Sequence, residues 1–186
     1  MSVRIERRIF NVDEYHRMSE AGILSEDDRV ELMEGEIIKM SPIGSRHAAC
    51  VKRFNTLLHR KAGQAVIVSI QDPIRLDDYS EPEPDVALLR PRTDFYSQAH
   101  PTPNDVMLII EVADTSLEYE RTVKLPLYAR AGIPEVWLAS LTRDTVEAFS
   151  RPLNGAYQEF REAKRGDVLS PAGFPDLLLS VDEILG

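Results

Sequence analysis

An α/β domain, with a central mixed sheet and helices packed on it, is the fold this sequence predicts. Three observations predict it. Elements alternate as helix, strand, strand, strand, helix, strand between two hairpin patterns. Val106–Val112 is almost wholly apolar, as expected of a strand covered on both faces. Ser45–Ala62 repeats His47, Val51, Phe54 and Leu58 at helical spacing. The 186 residues suit one domain over 1–186 with its core at about 45–140, and the 43% hydrophobic content supplies that core.

Taken in order, Asn11 precedes acidic residues and caps a short helix over Val12–Ala21, closed by Gly22. Arg29–Met40 reads as a hairpin turning at Glu34-Gly35. Ser41-Pro42-Ile43-Gly44 breaks the pattern. Ser45 is placed to cap the long helix, and Gly63 stops it. Ala65–Ile70 is a strand, Pro73–Leu76 a short extended piece, and Pro84–Arg90 a strand opened by proline. Pro91–Asp105 carries three prolines and is expected to be a mobile loop. Leu117–Ala131 is helical, with a kink or late start near Lys124 because Pro126 lies inside it. Glu135–Ser140 is a strand. Thr145–Ser150 and Ala156–Arg161 form a second hairpin around Asn154-Gly155.

Composition excludes several classes. The apolar runs Val106–Ile110 and Leu177–Leu179 are far too short to cross a bilayer, so no membrane partner is expected. Met1–Phe10 alternates charge with Ile and Val, so no secretory signal is read and the cytoplasm is the expected compartment. Cys50 is the single cysteine, which excludes an intrachain disulfide and a cysteine-rich zinc site; its apolar neighbours make it a buried structural thiol. The net charge of −9 argues against strong non-specific binding to nucleic acid. A local basic strip can coexist with that sum, and metal-binding carboxylates add to it.

Three residues carry the candidate chemistry. Glu111 follows five apolar residues, and an acidic side chain in a core strand is costly unless paired or bound to a cation. The other reading ends the strand there and lets Glu111 reach solvent at the sheet's lip. Asp85 opens the apolar run Val86–Leu89, so Asp85 and Glu111 stand at the ends of two strands that can be neighbours. Carboxylates so placed can hold a hard divalent cation through oxygen; without one they repel, and one pKa rises. Lys124 lies on the helix after the Glu111 strand and can aim its ammonium at the pair, or remain a solvated partner of Glu120 at i, i+4.

Weaker signals surround these. His47 is either a neutral packed histidine or a partner supporting the site. His16, His59 and His100 show no cluster or metal spacing in the sequence. Glu81 and Glu83 read as solvated residues of a proline-rich loop, with extension of the acidic site as the other reading. Trp137 reads as core. No glycine-rich phosphate loop and no Ser/His/Asp signature occurs.

The stretches Leu76–Ala87, Ile110–Ser116 and Lys124–Trp137, with Glu31–Pro42, Gly44 and His47, resemble the Uma-two family of restriction-endonuclease-like proteins within the PD-(D/E)XK superfamily. The resemblance runs from about Val12 to Trp137 and more loosely beyond. It implies a restriction-endonuclease-like core with added N- and C-terminal hairpins, and metal-dependent endonuclease chemistry on phosphodiester bonds. Asp85 matches the Asp of the Pro-Asp motif and Glu111 the acidic residue of the next strand. Ala113 stands where the superfamily usually has lysine, and the family pattern moves that lysine to the following helix, at Lys124. The expected cofactor is Mg²⁺ or Mn²⁺ on Asp85 and Glu111, with the Val112 carbonyl as a further ligand. DNA is the expected substrate, and a homo-oligomer is left open. The rival readings are a non-catalytic nuclease-like scaffold that binds DNA or protein, and a metallohydrolase of small substrates.

Overall fold

A computed structural model describes residues 7–25 and 27–186. Its centre is a six-stranded mixed sheet in the order β3 (Ile67–Ser69), β4 (Val86–Leu89), β5 (Val106–Ala113), β6 (Glu135–Ser140), β7 (Thr145–Leu153) and β8 (Ala156–Lys164). Only the β5–β6 pair is parallel; the other neighbours are antiparallel. A parallel pair needs a crossover, and the helical stretch after β5 supplies it. The second predicted hairpin, β7–β8, is therefore not an appendage but the edge of the sheet itself.

Side-chain alternation divides the core between the two faces. Leu108, Ile110 and Val112 of β5 pack with Trp137 and Ala139 of β6 under the long helix α2 (Ser45–Ala62), whose Cys50, Val51, Phe54 and Leu58 are buried there. The terminal helix α5 (Val181–Leu185) closes the same face through Ile184 and Leu185. Ile109 and Ala113 face the other way, with Val136 and Leu138, against Leu127 and Tyr128 of the crossover. Near-continuous burial of β5 and β6 follows from this two-sided cover.

The crossover runs as α3 (Leu117–Tyr119), a π-helical turn (Glu120–Lys124) and α4 (Leu125–Ala131). The kink or late start expected near Lys124 is instead this wider turn, in which the Leu125 amide bonds back to the Glu120 carbonyl. Pro126 gives the reason. It has no N–H, and its ring crowds the carbonyl one turn earlier, so an extra residue in that turn relieves the clash. Gly132, at φ 79°, ends the helix in the left-handed region.

The N-terminal part lies on the crossover face. Helix α1 (Val12–Glu20) carries the predicted Asn11 cap, completed by Glu14 as a capping box. The hairpin of β1 (Val30–Met33) and β2 (Glu36–Lys39) turns at Glu34-Gly35 as expected, with Met33 in the core. The cap expected from Ser45 is absent: Gly44 holds the N-cap position and Ser45 is already helical. In the proline-rich loop Tyr96 is buried and donates its hydroxyl to the Arg90 carbonyl. Among the described residues no helix is long and apolar enough to cross a membrane.

Candidate active site

The register of β4 against β5 pairs Val86 with Ile110. One step further sets Asp85 opposite Glu111, and two hydrogen bonds lock them there. The Asp85 amide donates to Glu111 Oε2 at 3.2 Å, and the Val112 amide to Asp85 Oδ2 at 2.9 Å. Asp85 Oδ2 also lies 2.8 Å from His47 Nε2, and Oδ1 accepts from the Gln71 side chain at 3.1 Å. Three other segments thus orient one aspartate. His47 bonds Asp85 directly, and that carboxylate raises its pKa above the ordinary imidazole value, with burial opposing.

Glu111 is only 1% exposed. Its place in the alternation of β5 turns it toward the crossover, which answers with two donors. Tyr128 donates its hydroxyl to Glu111 Oε1 at 2.6 Å, and the Lys124 ammonium lies 3.2 Å from the same oxygen. Lys124 and Tyr128 are four residues apart and share one helix face, so both reach one acceptor. Burial raises the Glu111 pKa to about 7; Lys124 pulls it down and Asp85 pushes it up. The reading in which Glu111 reaches solvent at a lip does not hold.

Lys124 is buried, so the solvated reading fails too. Its second partner is Glu31 of β1, at 3.1 Å. Burial alone would lower the lysine pKa, but Glu111, Glu31 and Glu120 more than offset it and hold the ammonium charged. Glu120, in the π turn, is buried; burial, then Glu111, raises it to about 8, and its Oε2 has no hydrogen-bond partner among the described residues.

These groups line a cleft of about 440 Å³. Six carboxylates face it (Glu31, Glu83, Asp85, Glu111, Asp114, Glu120) against three fixed cations (Arg29, Lys39, Lys124). Glu83, half-buried, belongs to this wall and has a raised pKa from burial and from Glu31. Glu81 belongs to neither the cleft nor a solvated loop: it is buried, and its amide bonds to the Leu32 carbonyl. Cys50 and Trp137 are buried core as expected.

The structure therefore brings Asp85, Glu111 and Lys124 together at one place. Sequence reasoning did not single out Glu31, Glu120, Gln71 or Tyr128. Tyr128 was within reach, through its i+4 spacing from Lys124. Glu31 offers only an acidic residue between Val30 and Leu32, and nothing local says that its hairpin folds onto the crossover.

The donor set is one of hard oxygens. Two adjacent carboxylates suit Mg²⁺ or Mn²⁺ rather than a thiophilic ion. The carboxylate excess of the cleft also calls for positive charge.

No curated protein matches the sequence at a significant level. Among solved structures, the crystal structure of a "putative nuclease belonging to DUF820" from Anabaena variabilis is similar, with a TM-score of 0.72 at 16% identity, covering 95% of this chain and 97% of that one. At that identity the likeness establishes the shared fold, a mixed α/β architecture. The family model Uma2, described as "Putative restriction endonuclease", matches residues 12–182. With that match over nearly its whole length, and with the sheet and cleft just described, the chain belongs to the Uma2 family.

Proposed function

We propose that this protein is a Mg²⁺- or Mn²⁺-dependent endonuclease that hydrolyses phosphodiester bonds in DNA. The observation that carries the reading is the buried Lys124 ammonium, 3.2 Å from Glu111, on the wall of a cleft that Asp85 shares. A lysine held charged in that position is a preorganised donor for negative charge that develops elsewhere in the cleft.

Asp85 and Glu111 would hold the cation, with the Val112 carbonyl as a further ligand. A bound divalent cation supplies Lewis-acid polarisation of a phosphate oxygen and acidification of a water. It also reconciles an anionic substrate with six carboxylates, which would otherwise repel it. The chain's own residues do the rest. His47, Gln71 and the Val112 amide keep Asp85 from rotating. Tyr128 and Lys124 hold Glu111 Oε1, leaving Oε2 with only the Asp85 amide. As the water oxygen loses a proton to solvent and bonds to phosphorus, and the leaving sugar oxygen departs and takes up a proton from solvent, charge grows on the phosphoryl oxygens. Lys124 stabilises that charge more strongly than the ground state's.

Plasmid cleavage with and without Mg²⁺, beside Asp85→Ala, tests the reading. Nicking or linearisation is expected only with metal and only with Asp85 present. DNA retention by both proteins without any cleavage would instead establish the non-catalytic scaffold.

A further inference from the structure

A second group of ligand-type side chains lies away from the cleft. His16 on α1, Glu81 at its bridge to Leu32, and His100 in the loop before β5 each offer one ligand atom, all within 4.8 Å of one another. None of the three lines the cleft. His16 Nε2 lies 2.6 Å from Glu81 Oε1, and the His16 and His100 rings meet edge to face at 6.1 Å. Glu81 is 2% exposed, yet its Oε2 has no hydrogen-bond partner among the described residues. A buried carboxylate oxygen without a donor carries an uncompensated desolvation cost, and a cation removes it. The histidines form the solvent side of the group, His16 partly exposed and His100 exposed, so an ion has an open approach.

We propose that His16, Glu81 and His100 form a binding site for a first-row transition-metal dication of the zinc class, separate from Asp85 and Glu111. Two imidazole nitrogens and one carboxylate oxygen are a zinc donor set, whereas Mg²⁺ takes oxygen ligands and keeps its water. Zinc–nitrogen bonds of about 2.0–2.1 Å in a tetrahedron set ligand atoms about 3.3 Å apart. Ligand atoms already within 4.8 Å reach that spacing by small rotations of two surface imidazoles. Three protein ligands leave the fourth position to water.

The site ties together three segments far apart in sequence: α1, the strand-like stretch through Glu81, and the proline-rich loop. The middle one matters most, because four residues after Glu81 the same stretch delivers Asp85 to the cleft. The backbone of Glu81 is bonded to Leu32, whose neighbour Glu31 holds Lys124. An ion on Glu81 therefore braces the stretch on which two of the cleft's carboxylates, Glu83 and Asp85, are mounted. Its role is a clip, read as stability rather than turnover.

Zinc titration of the intact protein by calorimetry tests this, with Co²⁺ absorption as a second readout. One equivalent of Zn²⁺ is expected to bind and to raise the melting temperature, as any ligand of the folded state does. His16→Asn at a partly exposed position and His100→Asn at an exposed one, both tolerant of change, should each weaken Zn²⁺ by at least about tenfold, the lower end of what even supporting residues contribute to metal affinity. They should also abolish the visible Co²⁺ band. Asp85→Asn should keep both signals, which separates this site from the cleft. The proposal is overturned if Zn²⁺ does not bind, if both histidine variants bind it as the parent does, or if Asp85→Asn alone removes it.

Discussion

Glu111 and Glu147 stand in one row of the sheet, on either side of Leu138, and point to the same face. Both are buried, and both receive a cation from the same π turn: Lys124 for Glu111, Arg121 for Glu147. The outcomes differ. Arg121 grips both oxygens of Glu147 with its guanidinium fork, and that pair is complete. Lys124 offers a compact point charge divided between Glu111 and Glu31. Glu111 keeps Oε2 toward Asp85 and the cleft, and its pKa rises to about 7. Burial of an acid is thus no mark of function by itself. Glu135, buried on β6, makes the same point: it accepts from Trp137 and from the Ala172 amide, and so anchors the C-terminal stretch. What distinguishes Glu111 is the second carboxylate, Asp85, beside it on the wall of the cleft.

The comparison breaks most visibly in paired glutamine variants. Glu111→Gln should abolish Mg²⁺-dependent cleavage, because a neutral amide is a poorer cation ligand, while the metal-free protein keeps or gains stability because repulsion with Asp85 disappears. Glu147→Gln should do the reverse. It leaves Arg121 without its anion and costs about 1–3 kcal/mol, less than a fully buried pair because Arg121 reaches solvent, yet spares turnover per folded molecule. Matched plasmid assays and thermal melts of the two variants measure this, and equal losses of cleavage would end the distinction.

A smaller effect is expected of the cation. Lys124→Ala should reduce turnover by about a hundredfold, the scale for loss of one transition-state donor, with a much smaller change in metal affinity, since lysine is not a ligand. Single-turnover rates beside Mn²⁺ titration separate the two. Unchanged turnover would leave Lys124 a purely structural partner of Glu111 and Glu31.

The smallest effect is in pH. Glu111 and Glu120 have folded pKa values of about 7 and about 8, both above the ordinary carboxylate value, and burial is the first cause of each. A raised acid favours the folded state while protonated. The contribution is complete below the unfolded value near 4.5 and is lost as pH climbs through 7 and 8. The metal-free protein should therefore melt at a lower temperature at pH 9 than at pH 6. Saturating Mg²⁺ should flatten or invert that slope, because it favours the charged carboxylates. Melting curves over this range in chelator and in Mg²⁺ check it, and a flat profile in chelator would mean that the buried acids are satisfied without metal.

Much of this molecule is determined within short windows of its sequence. The apolar run of β5, the helical spacing of α2 and the turn chemistry of Glu34-Gly35 and Asn154-Gly155 are local, and each produced the element it predicts. Asp85 and Glu111 were legible for the same reason, since an acid at the edge of an apolar strand conflicts with its surroundings and the conflict shows in sequence. Tertiary structure alone decided what those acids meet. Glu31 reaches Lys124 across 93 positions, and His47 reaches Asp85 across 38. His16 and His100, which show no metal spacing along the chain, converge on a Glu81 that local composition places in solvent. The π turn also had to be seen folded, although Pro126 announces a disturbance there. The physical reason is common to all of these. Secondary structure answers to neighbours a few residues away, whereas the charge state and partners of a buried side chain depend on which distant segments the core brings against it.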